Sequence, residues 1–410
     1  SIHRQSITDM PAAKKYDLVL YGATGFTGTL AVKYLTAQYG KSINWAIAGR
    51  SKAKLEKLSA EFGGDCDIIV SDSMDEKGLT AMIKKTKVVA SAAGPFARYG
   101  TLLVSLCAKM GCDYCDITGE TNWVREMIAL YDDVARESKA RIVHHCGHDS
   151  VPWDLSAYLL ANKLSEENNG ENVKKFDFYD DIKSAPSGGT LETAFAIMFG
   201  KEKAYKFTEQ KKLGYDALLK TPSGAKSAHT MKSRNVDLLS LSSHPSLPHR
   251  SFFFMAPVNA NAVKRSNALN GYGNLTYTEG QSFPNIFSTI WYILGYAVYG
   301  ICIYLPPLRY LMRKFILPKP GQGPSEEYMD SGYLHVLGVA KGEKGTIVKS
   351  TMSFNVDPGY KDTARMLIES ALSLSLEDVD CKGGVYTPGA CQKEVLLERL
   401  LKTGTEFKYH

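Results

Sequence analysis

Three evenly spaced glycines after a short apolar run have the spacing of a turn that binds a nucleotide diphosphate. The run DLVLY (17–21) leads into GATGFTG, where Gly22, Gly25 and Gly28 precede a helical pattern. Such a turn lets the backbone approach a diphosphate, and the free amides and dipole of the following helix face its negative charge. The residues predicted to line this site are Gly22, Thr24, Gly25, Phe26 and Gly28.

The end of the second apolar run indicates which dinucleotide is bound. NWAIA (44–48) is soon followed by Arg50, and Ser51 and Lys54 open the next helical pattern. An NAD site usually places Asp or Glu here to hold the ribose hydroxyls, whereas Arg and Lys suit a 2′-phosphate. The pattern therefore favours NADP(H), with Arg50, Ser51 and Lys54 around the phosphate. The alternative is that Arg50 is a solvated residue at a helix entry.

A group of small residues follows the fourth apolar run. KVVASA (87–92) continues into Ala93, Gly94 and Pro95. Small side chains allow the backbone to lie against a cofactor near the point where the strand order reverses. We therefore expect Ala93, Gly94 and Pro95 to contact the cofactor, with Pro95 beside the nicotinamide. The alternative is a simple Gly-Pro turn.

Three carboxyl groups and a hydroxyl group are candidates for proton transfer. Asp116 and Glu120 lie at and just after the end of the fifth apolar run (112–117), and Asp149 and Ser150 follow the sixth (141–146). If these runs are parallel strands, both segments lie at the carboxyl edge of a sheet, where such sheets bind ligands. A carboxyl group there can relay a proton while a cofactor delivers hydride. The alternative is that Glu120 and Asp149 cap the helices that follow them.

The histidine and cysteine spacings do not predict a metal site. Cys112 and Cys115 spell C-x-x-C, but residues three apart on a strand point to opposite faces, and no second pair has zinc-ribbon spacing. His144, His145 and His148 occupy a predicted strand end and turn. They are interpreted as ordinary strand and pocket residues, so we expect no bound metal.

The elements that must position these residues are those of a doubly wound α/β sheet. Between residues 17 and 164, six short apolar runs alternate with helical stretches. This predicts parallel strands in the order 3-2-1-4-5-6, covered by helices on both faces. After residue 172 the runs become longer and alternate in polarity, and those flanking Gly342 to Gly345 predict a hairpin. We therefore expect a Rossmann sheet plus a second α+β domain with a mostly antiparallel sheet.

Several motifs resemble the saccharopine dehydrogenase-like oxidoreductases, and most closely the branch with trans-acting enoyl reductases and lipid-droplet-associated members. The resemblance covers nearly the whole chain, with one departure at His148, where members commonly carry an aromatic residue. The motifs are GATGFTG (22–28), AGR (48–50), AAGPFARYG (92–100), GCDYCDITGE (111–120), CGHDSVPWDL (146–155) and GGVYTP (383–388).

The resemblance also implies a domain organisation. It implies a Rossmann domain over residues 1–165 and an α+β domain for substrate and dimer contacts over 166–360. Residues 361–410, which hold two helical patterns, would then return to the Rossmann domain. Within the second domain, 220–250 is rich in Ser, His, Pro and Lys and is expected to be a loop.

An apolar segment in the second domain predicts contact with a membrane or lipid droplet. Residues 287–305 form a nearly unbroken apolar run of 19 residues, which as a helix would be about 28 Å long, close to a bilayer core. A single crossing would separate the GGVYTP motif from the rest of the fold. Interfacial aromatic residues and the basic residues that follow favour a one-sided segment over 283–320. The alternative is a helix buried in the core or in a homodimer interface.

Composition excludes other classes of protein. A hydrophobic content of 44% with 22% charged residues indicates a folded globular chain. The net charge of +6 is too small and scattered to predict nucleic-acid binding. Eight cysteines, with no apolar leader in the first 16 residues, indicate reduced thiols and an intracellular protein. The expected location is an intracellular membrane surface: lipid droplet, endoplasmic reticulum or mitochondrion.

These observations lead to two functional hypotheses. The first is an NADPH-dependent oxidoreductase that transfers hydride to an apolar, lipid-like enoyl or carbonyl substrate at a membrane or lipid-droplet surface. The second is a catalytically idle NADP(H)-binding scaffold protein of a membrane, lipid droplet or larger complex. The second stays open because no acid/base pair is evident in the sequence.

Overall fold

The computed structural model describes residues 14–64, 66–199, 206–242, 244–319 and 321–410. Residues 1–13, which carry most of the segment used to predict the lack of a leader, lie outside these ranges. Pro320, the last residue of the expected membrane segment, also lies outside them.

The first sheet is parallel and has the predicted strand order. Its described strands are β1 (Tyr16–Tyr21), β2 (Trp45–Gly49), β3 (Asp67–Val70), β4 (Thr86–Ser91), β5 (Asp113–Asp116), β6 (Arg141–Val143) and β14 (Gly384–Tyr386). The order is β14-β6-β5-β4-β1-β2-β3, so the doubly wound arrangement is confirmed. The GGVYTP motif provides β14, which pairs in parallel with β6.

Helices connect these strands and cover the sheet, which is why most strand residues are buried on both faces. The helices of this part are α1 (Phe26–Gln38), α2 (Lys52–Glu61), α3 (Glu76–Ile83), α4 (Phe96–Tyr99), α5 (Thr101–Met110), α6 (Thr121–Ser138) and α7 (Val151–Glu167). The loops after β1, β2, β4, β5 and β6 therefore lie at one edge of the sheet.

The second sheet is mixed and mostly antiparallel. Its described strands are β7 (Val173–Lys183), β8 (Met231–Arg234), β9 (Ser240–Leu241), β10 (His249–Phe252), β11 (Leu275–Phe283), β12 (Tyr333–Gly342), β13 (Ile347–Phe354) and β15 (Glu406–Tyr409). The order is β15-β13-β12-β7-β11-β10-β9, and β8 also pairs with β11. β12 and β13 form the predicted hairpin. One face of this sheet packs on α7 through Phe176, Phe178 and Tyr277.

The remaining helices connect or cover the two sheets. They are α8 (Gly188–Phe199), α9 (Glu209–Lys212), α10 (Ala256–Asn270), α11 (Ile286–Tyr304), α12 (Pro306–Leu311), α13 (Glu326–Asp330), α14 (Thr363–Leu376), α15 (Pro388–Cys391) and α16 (Lys393–Lys402). α14 packs on β1, β4 and β5, whereas β15 pairs with β13. The C-terminal residues therefore contribute to both sheets.

The expectation that 220–250 is only loop is wrong. The described part of this region contains β8, β9 and the first residues of β10. β8 and β9 are edge strands of four and two residues, and nearly all of their residues are at least partly exposed. Short edge strands of this kind lack the apolar alternation that identifies a strand in a sequence.

Candidate functional site

The turn between β1 and α1 requires glycine at two of the three predicted positions. Gly22 has a φ angle of +83°, and a Cβ atom there would lie 2.8 Å from the backbone nitrogen of Ala93. A Cβ atom on Gly28 would collide with the carbonyl oxygen of Gly22. Two of the predicted cofactor segments, 22–28 and 93–95, therefore lie against each other through backbone atoms.

α1 begins at this turn without a side-chain cap. Its N-cap residue is Gly25, which has no side chain to accept from the amides of the first turn. Those amides have no partner within the helix, and Thr24 is exposed beside them. Unpaired amides at the positive end of a helix dipole bind phosphate groups. The residues present therefore fit the diphosphate of a dinucleotide.

Phe26 lies at the same turn but contacts a distant part of the chain. Its ring packs edge-on against Tyr360 with the centroids 5.2 Å apart. A Cβ atom on Gly323 would collide with the Phe26 ring, so the segment after the apolar region passes directly over the start of α1. Phe26 therefore connects the nucleotide turn to the second half of the chain.

The cations predicted to bind a 2′-phosphate lie at the end of β2. Arg50 is exposed, and among the described residues its guanidinium has no hydrogen-bond or ion-pair partner. Ser51 is the N-cap of α2, and its hydroxyl makes no capping hydrogen bond. Lys54 is exposed one turn further on. These donors are free to bind a phosphate, and no acid in the turn opposes it.

The third predicted segment lies between β4 and α8. Pro95 is buried and caps α4, whereas Gly94 is exposed. A Cβ atom on Gly94 would lie 3.4 Å from the Phe96 ring and 4.0 Å from the Thr193 hydroxyl oxygen. Gly94 therefore faces α8, a helix that the sequence analysis did not connect with the site.

Glu120 caps a helix, although a different one from that expected. It is 4% exposed, and its carboxylate oxygens accept hydrogen bonds from the backbone amides of Phe96 at 2.5 Å and Ala97 at 3.1 Å. Burial raises the pKa of Glu120 to about 7, against the lowering effect of these two amides. Glu120 therefore holds the start of α4 and the adjoining Pro95 in place.

Asp149 and Ser150 lie together at the start of α7 with unsatisfied polar atoms. The Asp149 Oδ1 atom and the buried Ser150 hydroxyl have no hydrogen-bond partner among the described residues. Burial raises the pKa of Asp149 to about 7, although its side chain remains 24% exposed. The nearest ring nitrogen, His148 Nε2, is 3.6 Å away, and burial lowers the pKa of His148 to about 3. The Asp149 carboxyl group therefore loses its proton near neutral pH, and the His148 imidazole beside it is uncharged there.

A buried carboxyl pair on the second sheet was missed by the sequence analysis. Asp180 on β7 accepts a hydrogen bond from the Trp153 indole at 2.9 Å, and Glu279 on β11 accepts one from Asn259 at 2.8 Å. Burial raises the pKa of Asp180 to about 7 and that of Glu279 well above its usual range. A signal was present, because Asp180 and Glu279 continue the inward alternation of Phe176, Phe178 and Tyr277.

A second buried pair lies behind the Glu120 loop, and the sequence did not predict that its two members meet. Asp116 and His144 are fully buried, and the Asp116 Oδ2 and His144 Nδ1 atoms are 2.7 Å apart. The His144 ring packs against Trp123, and its Nε2 atom has no partner among the described residues. The described residues contain no group of three or more side chains that could hold a metal ion.

Comparisons with known proteins agree with this geometry. Residues 18–143 match the family model described as the saccharopine dehydrogenase NADP-binding domain. A trans-acting enoyl reductase of Mycobacterium tuberculosis is 33% identical, with 96% of this chain and 97% of that protein covered. The corresponding protein of Mycobacterium ulcerans is 32% identical over the same shares.

Two solved structures share the fold at low sequence identity. Saccharopine dehydrogenase (L-Glu forming) from Saccharomyces cerevisiae superposes with a TM-score of 0.54 and 14% identity, over 96% of this chain and 99% of that one. The homospermidine synthase of Legionella pneumophila, solved with NAD, superposes with a TM-score of 0.51 and 10% identity, over 96% and 92%. These two structures show the fold, and the family match identifies residues 18–143 as an NADP-binding domain.

Proposed function

The chain belongs to the saccharopine dehydrogenase-like oxidoreductases, and from this membership we propose that it is an NADPH-dependent reductase of an apolar, lipid-like enoyl substrate at a membrane surface. The mycobacterial relatives are named as trans-acting enoyl reductases, and similarity to them extends over 96% of the chain. The step proposed for this chain is the reduction of an activated carbon–carbon double bond.

The residues of the first domain hold and orient the cofactor. When bound, NADPH supplies the hydride that adds to the electron-poor β-carbon of the substrate. The amides at the start of α1 bind the diphosphate, and Arg50 binds the 2′-phosphate. Glu120 accepts from the amide of Phe96 at the start of α4 and so fixes the adjoining Pro95; Gly94 and Pro95 would hold the nicotinamide of a bound cofactor.

Asp149 is the residue best placed to complete the reaction. Addition of hydride leaves negative charge on the substrate, which is neutralised when a proton is added to the α-carbon. With a pKa of about 7, the Asp149 carboxyl is protonated in about half of the molecules at neutral pH, and its Oδ1 atom has no hydrogen-bond partner among the described residues. The neighbouring His148, with a pKa lowered to about 3, adds no competing positive charge. This unpartnered acid at the carboxyl edge is the observation that carries the proposal.

The reaction is tested with purified protein, NADPH and 2-enoyl thioesters of fatty acids presented in vesicles. We expect NADPH oxidation together with formation of the saturated thioester, and no oxidation with the saturated compound. NADPH binding without oxidation across enoyl and carbonyl lipids would instead support the idle scaffold. That outcome would rule out the proposed reductase activity but not the proposed cofactor site.

α11 supports the proposed membrane surface because its two sides differ. On one side Tyr292, Tyr296 and Ile303 pack against aromatic and aliphatic residues of the protein. The other side is an exposed apolar stripe at helical spacing. The exposed stripe consists of Phe287, Trp291, Leu294, Val298, Ile301 and Leu305.

This asymmetry favours one-sided insertion. α11 has the length and composition to cross a membrane, but a spanning helix would expose its packed side to lipid as well. Of the basic residues that follow α11, Arg313 pairs with Glu192 at 2.7 Å and Arg309 lies over the Phe199 ring. The exposed Lys314 is placed to meet anionic headgroups. We therefore propose that α11 lies in the interface of an intracellular membrane or lipid droplet, with its exposed stripe in the acyl region.

Membrane binding is tested by flotation with vesicles that contain anionic phospholipid. Val298→Glu places a charge in the exposed stripe, and we expect at least a tenfold loss of bound protein. Ile347→Glu is the matched control, because Ile347 is similarly exposed but lies on β13 in the second sheet. If wild-type protein fails to float but forms a dimer that Val298→Glu dissociates, the stripe is a dimer interface and the membrane proposal is wrong.

A further inference from the structure

The outer face of the second sheet contains a basic groove away from the nucleotide turn. The groove has a volume of about 470 Å³, which is within the range of small-molecule sites. Its floor and walls come from β7, β8, β11 and β12, on the face opposite the one that packs on α7. The groove is lined by Lys174, Lys175, Arg234, Asn235, Thr276, Thr278 and Lys341.

Strand register places like charges side by side in this groove. Lys341 lies directly opposite Lys175, which is followed across the sheet by Thr276 and then Lys232. Like charges directly opposite on neighbouring strands destabilise a sheet. Because strands are about 4.8 Å apart, the cations from β12 to β8 extend over about 14 Å.

The protein itself compensates little of this charge. Lys175 pairs with Asp177 at 2.6 Å, but the Asp177 carboxylate is shared with Arg250 at 2.8 Å. Lys341, Lys174 and Arg234 have no acidic partner among the described residues. The groove thus combines three unpaired cations with two threonine side chains in its floor.

We propose that this groove binds an organic phosphate that carries at least two phosphate groups. A single phosphate cannot reach cations spread over about 14 Å, whereas a polyphosphate contacts Lys341 at one end and Arg234 at the other. The Thr276 hydroxyl and the Asn235 amide donate further hydrogen bonds to phosphate oxygens, whereas the Thr278 hydroxyl already donates to the Phe176 carbonyl oxygen at 3.3 Å. The ligand relieves the repulsion between the lysines. This site is separate from the cofactor site and from the proposed reduction.

The test uses the full chain saturated with NADPH, so that the nucleotide turn is already occupied. Inorganic tripolyphosphate is the soluble probe, measured by titration calorimetry, and vesicles with phosphoinositide are the second arm. We expect tripolyphosphate to bind with an affinity that falls as salt rises. Arg234→Glu and Lys341→Glu should each weaken binding at least tenfold, because each removes a charge-assisted contact. Binding to vesicles alone would identify a lipid headgroup as the source of the phosphates.

The controls separate ligand binding from a structural role. Lys349→Glu changes a lysine on β13 that does not line the groove, and it should alter affinity less than twofold. In protein without tripolyphosphate, Lys341→Glu should raise the melting temperature because it relieves repulsion with Lys175. The proposal is overturned if the wild type binds neither probe, if Lys349→Glu weakens binding as much as Lys341→Glu, or if only an acidic polypeptide such as polyglutamate binds.

Discussion

The carboxyl edge of the first sheet has two parts with different chemistry. After β1, β2 and β4 it presents glycines, backbone amides and the exposed Arg50. After β5 and β6 it presents buried ionisable groups, of which Glu120 and Asp149 both have a pKa raised to about 7. Under the proposed function, the first part would bind the cofactor through backbone shape and fixed charge, and the second would act through protonation states set by burial. Substitutions in the first part should therefore change affinity, and those in the second should change turnover, pH dependence or stability.

The largest expected effect is on turnover, at Asp149. Asp149→Asn should lower kcat by about 100- to 10,000-fold, the usual range for loss of a general acid, while NADPH affinity stays unchanged. In the wild type kcat should decline as pH rises through about 7, because the carboxyl must hold its proton to donate it. Stopped-flow oxidation of NADPH across a pH series measures both effects.

A matched substitution checks that the Asp149 effect is local. Asp378→Asn makes the same change at an exposed position in the segment after α14, and it should leave kcat and its pH dependence unchanged. If Asp149→Asn keeps the wild-type pH profile, Asp149 is not the proton donor. The two parts of the edge would then differ less than proposed here.

The next largest effect is on affinity, at the β1 turn. Gly22→Ala should weaken NADPH binding about 100-fold, because the added Cβ lies 2.8 Å from the Ala93 nitrogen and φ is +83°. Gly295→Ala adds the same methyl group to α11 with no atom within 4 Å, and NADPH affinity should not change. Fluorescence titration of NADPH measures both variants. An unchanged affinity for Gly22→Ala would show that the turn does not bind the diphosphate.

The glycine turn after β1 could be predicted from the sequence because the residues that it requires are close together in the chain. A positive φ angle at Gly22 and the contact between Gly28 and the Gly22 carbonyl allow one residue type, so the glycine spacing identifies the turn when it follows an apolar run and precedes a helical pattern. The strand order followed from the same regularity, since short parallel strands with helical connections have few allowed arrangements. The pairing of β14 with β6 is long-range, and no local pattern indicates it.

The protonation behaviour of the acids after β5 and β6 could not be predicted, because the residues that bury or hydrogen-bond their carboxyl groups are distant in the chain. Spacing suggested that Glu120 caps the helix that follows it, yet it accepts from the amides of Phe96 and Ala97 on α4. Whether a carboxyl group transfers protons or caps a helix depends on which backbone amides lie within hydrogen-bond distance of it. A single acid at an inward-facing strand position does not by itself indicate a site. Asp180 and Glu279 were overlooked because only the pairing of two distant strands places the two carboxyl groups side by side.

Arg50 should have a smaller effect, confined to one cofactor. Arg50→Ala should weaken NADPH binding by about 10- to 100-fold, the range for loss of one charge-assisted hydrogen-bonding group, and leave NADH binding unchanged. Lys52→Ala, two residues further on at the start of α2, is the control, because Lys52 pairs with Glu56 at 3.7 Å. Equal losses for NADPH and NADH would mean that Arg50 does not contact the 2′-phosphate.

The smallest expected effect is on stability, at Glu120. Glu120→Ala leaves the Phe96 and Ala97 amides without their acceptor and should lower the free energy of unfolding by about 1–2 kcal/mol. Glu120→Gln keeps an acceptor and should cost less.

Because burial raises the folded-state pKa of Glu120 to about 7 from 4.5, folding takes up a proton at this carboxyl group. The stability contributed by the protonated form is fully present below pH 4.5 and is lost as pH rises through about 7. Urea unfolding of apoprotein at pH 5 and pH 8 should therefore show a smaller loss of stability between the two in Glu120→Gln than in the wild type. An identical loss of stability in both proteins would mean that the Glu120 carboxylate is solvated. Glu120 would then belong with the exposed residues after β1 and β2, and not with the buried acids after β5 and β6.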